Sequence, residues 1–266
     1  MANSLKFGIS TTVLREYPVS YALEQIARAG FQSAEVWLWH LERFEDNPKA
    51  LARQARQLDL SLTIHAPAGE FNPTANETET AKQSQDIITA SLELAAELEA
   101  EVVAVHPGRL SSKTENMEVV WERMLAWVTE LEKTGNRLGI QIGLELMEKL
   151  PLELFTLPKD AARLMEISFN NVGLTVDIAH MNTHMDPVKF LKGLDSSWIT
   201  HVHLSDNAPR RVHLPLGEGD IDLGAVLAYL EGIFCGFVSI EGSVPGDGEA
   251  LLKRNMAYLN KLGWEK

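Results

Sequence analysis

The sequence predicts an α/β fold in which eight strands alternate with about eight helices and close into a (β/α)8 barrel. Three observations predict it. Eight short apolar runs, rich in Val and Ile, recur along the 266 residues. The stretches between them carry 3.6-residue periodicity, the mark of helices that cover a parallel sheet. No Pro/Gly/Ser-rich linker or shift in composition divides the chain, so one domain over residues 1–266 is expected. An open doubly wound sheet is the alternative, but its G-x-G-x-x-G turn is missing: the first strand runs into Gly8-Ile9-Ser10-Thr11-Thr12.

The strands are read in order as LKFGIS (5–10), SAEVWL (33–38), LSLTIH (60–65), EVVAVH (101–106), IQIGLE (140–145), VGLTVD (172–177), ITHVHL (199–204) and FVSIEG (237–242). Two of the helices between them show the clearest periodicity. In SQDIITASLELAAELEA, Ile87, Ser91, Leu94 and Leu98 are expected to share a face. In ENMEVVWERMLAWVTELEKTG, Val120, Met124, Trp127 and Leu131 are in register and Gly135 is the expected stop. The run ETETAKQ (77–83) reads as a solvated helix start.

Composition excludes several classes. With 45% hydrophobic residues the chain buries a large core. A net charge of −13, with no Lys/Arg run to offset it, argues against nucleic acid or an acidic membrane as partner. The single cysteine, Cys235, excludes an internal disulfide and fits a reducing compartment. MANSLKFGIS has no signal-peptide core, and no apolar run of about 18 residues exists, so a soluble cytoplasmic protein is expected.

The strand ends carry the chemistry. Alternate side chains of a barrel strand face the interior. In six successive runs the bulky aliphatics take one face, while the other ends in a metal-ligand type: His65, His106, Glu145, Asp177, His203 and Glu241. Unpartnered buried carboxylates cost several kcal/mol each, roughly. A bound cation is the simplest way to hold so many together. Glu145, Asp177, His203 and Glu241 end four strands and converge at the C-terminal mouth, where such barrels keep their sites. Three carboxylates and one imidazole suit one divalent ion: Mn²⁺, Mg²⁺, Zn²⁺ or Co²⁺.

IHAP (64–67), VAVHPG (103–108), GLEL (143–146), VDIAH (176–180), HVHLSD (201–206), HLPLGEGDID (213–222) and SIEG (239–242), in this order, resemble the xylose isomerase-like TIM-barrel superfamily in its sugar phosphate isomerase/epimerase branch. That resemblance implies a (β/α)8 TIM barrel acting as a metal-dependent isomerase or epimerase on a small sugar, sugar phosphate or related keto or hydroxy compound. It implies that Glu145, Asp177, His203 and Glu241 hold the metal, and that Glu145 and Glu241 double as acid and base. It also places His180 at substrate oxygens. The reaction would be proton transfer beside a carbonyl, through an enediolate that the cation stabilises. A dehydratase of the same superfamily is an alternative.

Endonuclease IV, a three-zinc hydrolase, belongs to the same superfamily. By that resemblance His65 and His106 would match ligands of one additional zinc, and His180 and His213 ligands of another. An aspartate of that enzyme falls at Arg211, and with the acidic surface this argues against it. A non-catalytic sugar-binding barrel is the remaining reading. His65, His106, His180 and His213 are expected at the substrate, and Trp37 is expected to wall a sugar's apolar face. Arg210 or Arg211 is expected to grip an anionic group, and His201 to bond a ligand carboxylate or simply to pack. The GEGD stretch (217–220) fits neither a phosphate loop nor a calcium loop. The partner is a small carbohydrate-like molecule, and the short roof leaves room for a second subunit in a homo-oligomer.

Overall fold

The computed structural model describes residues 5–209, 211–242 and 246–264. The apolar runs form β1 (Leu5–Ser10), β2 (Ser33–Trp37), β3 (Ser61–His65), β4 (Val102–Val105), β5 (Gln141–Leu146), β6 (Val172–Asp177), β7 (Ile199–Leu204) and, after the hairpin strands β8 (Asp206–Ala208) and β9 (Arg211–Leu214), β10 (Gly236–Ile240). Eight of these pair in parallel and close in the order β1-β10-β7-β6-β5-β4-β3-β2, the expected barrel. The antiparallel β8–β9 hairpin was not expected; it rises directly from β7 at the C-terminal mouth. Expected and observed strand ends differ by one or two residues, which leaves His106 and Glu241 just beyond their strands.

The helices are α1 (Val19–Arg28), α2 (Leu38–Arg43), α3 (Pro48–Gln57), α4 (Thr78–Leu98), α5 (Met117–Leu138), α6 (Pro158–Met165), α7 (Ile178–Asn182), α8 (Pro187–Leu191), α9 (Leu223–Ile233) and α10 (Gly248–Lys261). There are more than expected because two strand-to-strand connections contain split or extra short helices. On α4 the buried stripe is Ser84, Ile88, Ser91, Leu92, Ala95 and Leu98, while Ile87 faces solvent. Ser91 and Leu98 are buried as expected and Leu94 packs partly buried against the core, while Ile88 and Leu92 take the place expected of Ile87. On α5 the expected residues Val120, Met124, Trp127 and Leu131 are all buried. Gly135 does not end that helix. It is buried within it, and the stop is Gly139 in the left-handed conformation, its N–H donating to the Gly135 carbonyl.

The hydrophobic core lies between strands and helices. Ile64, Val103, Ile142, Leu144, Leu174, Val176, Val202 and Val238 are fully buried there. The alternate positions face the barrel interior, where space is short: a Cβ on Gly143 would come within 2.2 Å of Thr175 Oγ1. Small interior residues below let the bulky ionisable ones crowd the upper layer. Among the described residues no helix is long and apolar enough to cross a membrane.

Candidate metal centre and active site

Glu145, near the end of β5, Asp177 at the end of β6, His203 on β7 and Glu241 just after β10 meet at the mouth, with one ligand-type atom from each lying within 4.8 Å of the others. His203 Nδ1 stands 3.3 Å from Glu145 Oε1 and 3.4 Å from Glu241 Oε2. Asp177 is fixed by its helix: Oδ1 accepts from the His180 N–H at 2.7 Å as the cap of α7. Its other oxygen, Oδ2, is buried with no hydrogen-bond partner among the described residues, as are Glu145 Oε2 and Glu241 Oε1. Native proteins rarely leave such atoms unpaired. Three carboxylates, each with one buried oxygen that lacks a hydrogen bond, and one imidazole nitrogen in a single cluster are a donor set that fits a divalent cation.

A residue not expected at the site completes it. Glu35 on β2 reaches across the barrel, where His203 Nε2–H donates to its Oε2 at 3.1 Å and His201 Nε2–H donates to the same oxygen at 2.9 Å. With Nε2 so engaged, His203 presents Nδ1 to the cluster, the arrangement that orients ligating imidazoles. His201 was expected to bond a ligand carboxylate or to pack; it does neither as expected, bonding the carboxylate of Glu35, which in turn bonds His203. The sequence signal was available, since Glu35 lies on the interior alternation of β2 with Trp37, but a single glutamate in mid-strand does not reveal its partner across the barrel.

Charges in the cluster interact strongly. Burial pushes Glu145 up, but His203 and His106 beside it prevail and hold it well below the usual carboxylate range. Glu241 goes the other way, because burial and the charges of Glu35 and Glu145 prevail over His203. Burial lowers His203, yet Glu241, Glu35 and Glu145 together carry it well above its ordinary value. The imidazole therefore takes up a proton where a cation would otherwise balance the carboxylates.

The other expected residues gather around a cavity of about 310 Å³, which Trp37, His65, His106, His180 and His213 all line. Trp37 lies flat on His65, with ring centroids 3.8 Å apart and planes at 8°. His65 Nε2 is 3.7 Å and His106 Nε2 3.2 Å from Glu145 Oε2. His180 Nε2 lies 3.3 Å from His213 Nε2. His213, on the hairpin, has a positive φ of 59°, an uncommon conformation for a non-glycine that clusters at functional sites. Its Nδ1 is 3.1 Å from Ser205 Oγ and 3.8 Å from Asp177 Oδ2. His65–His106–Glu145 and Asp177–His180–His213 thus form two further three-residue groups of ligand type.

Arg211, expected at an anionic group, does not line this cavity. That side chain is exposed at the start of β9, on the antiparallel hairpin. Arg210 lies outside the described residues. The cavity's guanidinium is Arg15, joined by Ser10, Thr12, Trp39, Met147 and Glu148, none of which the strand-end pattern singled out. The GEGD stretch is also explained. Asp206 accepts from the N–H groups of Gly217, Gly219 and Ile221 at 3.1, 2.9 and 3.1 Å, so the protein's own carboxylate fills that loop.

Fold and site together define a class: a (β/α)8 barrel whose mouth presents a buried carboxylate–imidazole cluster able to bind a metal. The profile of the xylose isomerase-like TIM barrel family matches residues 23–262, and the chain belongs to that family. It is 29% identical over 272 residues to an uncharacterised protein of Methanocaldococcus jannaschii, covering 98% of this chain and 93% of that one. It is 24% identical over 225 residues to the D-psicose 3-epimerase of Ruminiclostridium cellulolyticum, covering 79% and 76%. Among solved structures, a D-tagatose 3-epimerase-like protein superposes with a TM-score of 0.82 at 28% identity, over 97% of this chain and 98% of the other.

Proposed function

We propose that the protein is a divalent-metal-dependent epimerase or isomerase of a small sugar or related keto or hydroxy compound. The observation that carries this reading is the pairing of Glu145 and Glu241. Each turns one oxygen to His203 Nδ1 and leaves the other buried without a hydrogen bond beside the cavity, that of Glu145 with His106 Nε2 3.2 Å away. Similarity to sugar epimerases supports the substrate class.

Glu145, Asp177, His203 and Glu241 would hold one ion, Mn²⁺, Zn²⁺, Mg²⁺ or Co²⁺. When bound, that ion supplies Lewis-acid polarisation of a carbonyl and its neighbouring hydroxyl. The free oxygen of one glutamate removes the proton next to the carbonyl. The free oxygen of the other returns a proton from its own side, which inverts the carbon or moves the carbonyl. His65, His106, His180 and His213 supply donors to substrate oxygens, and Trp37 walls the apolar side. Burial keeps water from protonating the intermediate carbanion indiscriminately.

A second reading, a metal-dependent hydrolase, is favoured by the two further ligand-type groups at His65–His106–Glu145 and Asp177–His180–His213. It stands second because the net charge of −13 repels a polyanionic substrate.

The test is elemental analysis of protein prepared without chelator, followed by a ketose panel in deuterated water. About one ion per chain and deuterium incorporation at the carbon beside the carbonyl are expected, with loss of exchange by about 10³-fold or more in Glu145→Gln and Glu241→Gln. Two or three zinc ions per chain with cleavage of abasic DNA would establish the hydrolase instead. No bound ion after soaking would overturn both readings.

A further inference from the structure

The active cavity carries one permanent cation among its described lining residues, Arg15. Among the described residues, most arginines of this chain are paired with a carboxylate, and Arg15, like Arg53, Arg109 and Arg211, is not. Seven other arginines, 28, 43, 56, 123, 137, 163 and 254, stand within 4.0 Å of a glutamate. Acidic residues outnumber Lys and Arg by 37 to 24, so a guanidinium finds a carboxylate easily. Arg15 has no such partner among the described residues; it is half-buried and lines both this cavity and a neighbouring one beside Glu16 and Gly246.

It does not stand alone. The 3₁₀ turn Thr11–Leu14 that follows β1 ends at Arg15, whose backbone N–H donates to the Thr12 carbonyl. The same segment places the Ser10 and Thr12 hydroxyls, 2.7 Å apart, on the cavity wall. A planar guanidinium and two hydroxyls from one short segment, all lining the same cavity, are donor types suited to a phosphate or carboxylate. Apart from its histidines, the remaining charge of the described lining is acidic, from Glu145, Glu148 and Glu241.

We infer that the substrate carries an anionic group remote from its reacting carbonyl, and that Arg15, with Ser10 and Thr12, binds it. The inference rests on the proposed epimerase or isomerase reading for the reacting end of the molecule. Arg15 is a specificity residue: it sets which sugar or keto compound the cluster receives and takes no part in proton transfer. A terminal phosphate and a terminal carboxylate share this chemistry, and the cavity of about 310 Å³ has the volume of a small ligand site.

The experiment uses the metal-loaded full chain and three probes of one carbon skeleton: a free ketohexose, its terminal phosphate and its terminal carboxylate. Binding is measured by calorimetry and turnover by deuterium exchange. The expected result is binding of one charged probe about 10–100-fold tighter than the free ketose. Arg15→Gln brings that ratio close to one, Arg15→Lys keeps part of it, and unchanged circular dichroism shows that the variants fold. Preference for the phosphate over the carboxylate, or the reverse, identifies the group. Equal binding of all three, or a preference that Arg15→Gln leaves intact, overturns the inference while exchange on the free ketose would still support the epimerase. Arg15-dependent anion binding without exchange on any probe would keep the inference for the ligand and refute the reaction.

Discussion

Glu35 joins structure to chemistry at the scale of single residues. Burial alone would raise its carboxyl, but His203 and His201 outweigh that and keep it well below the usual range, so it is ionised in a buried layer. Its Oε2 holds both imidazoles, and with them the direction in which His203 points. Glu35→Ala leaves His203 free to turn and removes the acceptor that makes Nδ1 a better ligand. Metal affinity measured by Co²⁺ titration is expected to fall about 10–100-fold, with Glu35→Gln, which keeps an acceptor, falling less. A merely structural role for Glu35 would lower thermal stability in both variants and leave the affinity of the folded fraction unchanged.

At the scale of elements, the segments that roof the site are held by buried carboxylates. Asp206 ties Gly217, Gly219 and Ile221 under the β8–β9 hairpin. Gly219 is required there, because a Cβ would lie 2.2 Å from the Asn207 carbonyl oxygen. Asp206→Ala strands these N–H groups and is expected to cost about 3 kcal/mol in denaturant unfolding. It should also loosen His213, which the hairpin carries. No loss of stability would show that water replaces the carboxylate at no cost. The loop after β5 holds a pH-dependent group. Burial and the charge of Glu148 push Glu153 up to about 7. Folding therefore favours its protonated form: that contribution is fully present below the ordinary value of 4.5 and is lost as pH rises through about 7. Glu153→Gln should be more stable than the parent by about 1 kcal/mol at pH 8, after discount for partial exposure, and equal to it near pH 4.5. A difference that stays constant across that range would refute the assignment.

For the whole molecule, an ion held at the proposed cluster would couple metal binding to folding. Glu145, Asp177 and Glu241 converge on His203 from three barrel strands or their ends, with Glu35 bonded to His203 from a fourth, so a bound cation would stabilise the closed barrel itself. At a hundredfold excess over Kd, a divalent ion should add about 2.7 kcal/mol, seen in calorimetry as a rise in Tm of about 5–10 °C that chelation reverses. An unchanged Tm with and without the ion would mean that the cluster does not bind it.

The barrel was legible in the sequence because parallel strands buried on both faces leave continuous apolar runs, and because eight of them alternate with helical periodicity. The ring of Glu145, Asp177, His203 and Glu241 was legible because inward alternation and strand ends are both local properties. Neither property extends to the residues that complete the site. Glu35 meets His203 across a barrel 168 residues apart in sequence. Arg15 enters the cavity from a 3₁₀ turn, and Arg211 leaves it on a hairpin whose strands are too short to announce themselves. Thus the sequence by itself determined the fold class and the chemical type of each strand end, since these follow from periodicity and residue type within a few positions. Which oxygen is left unpaired, which imidazole nitrogen faces the cluster and which guanidinium reaches the cavity were decided only by the tertiary structure. Those depend on distances between strands that closure alone brings together.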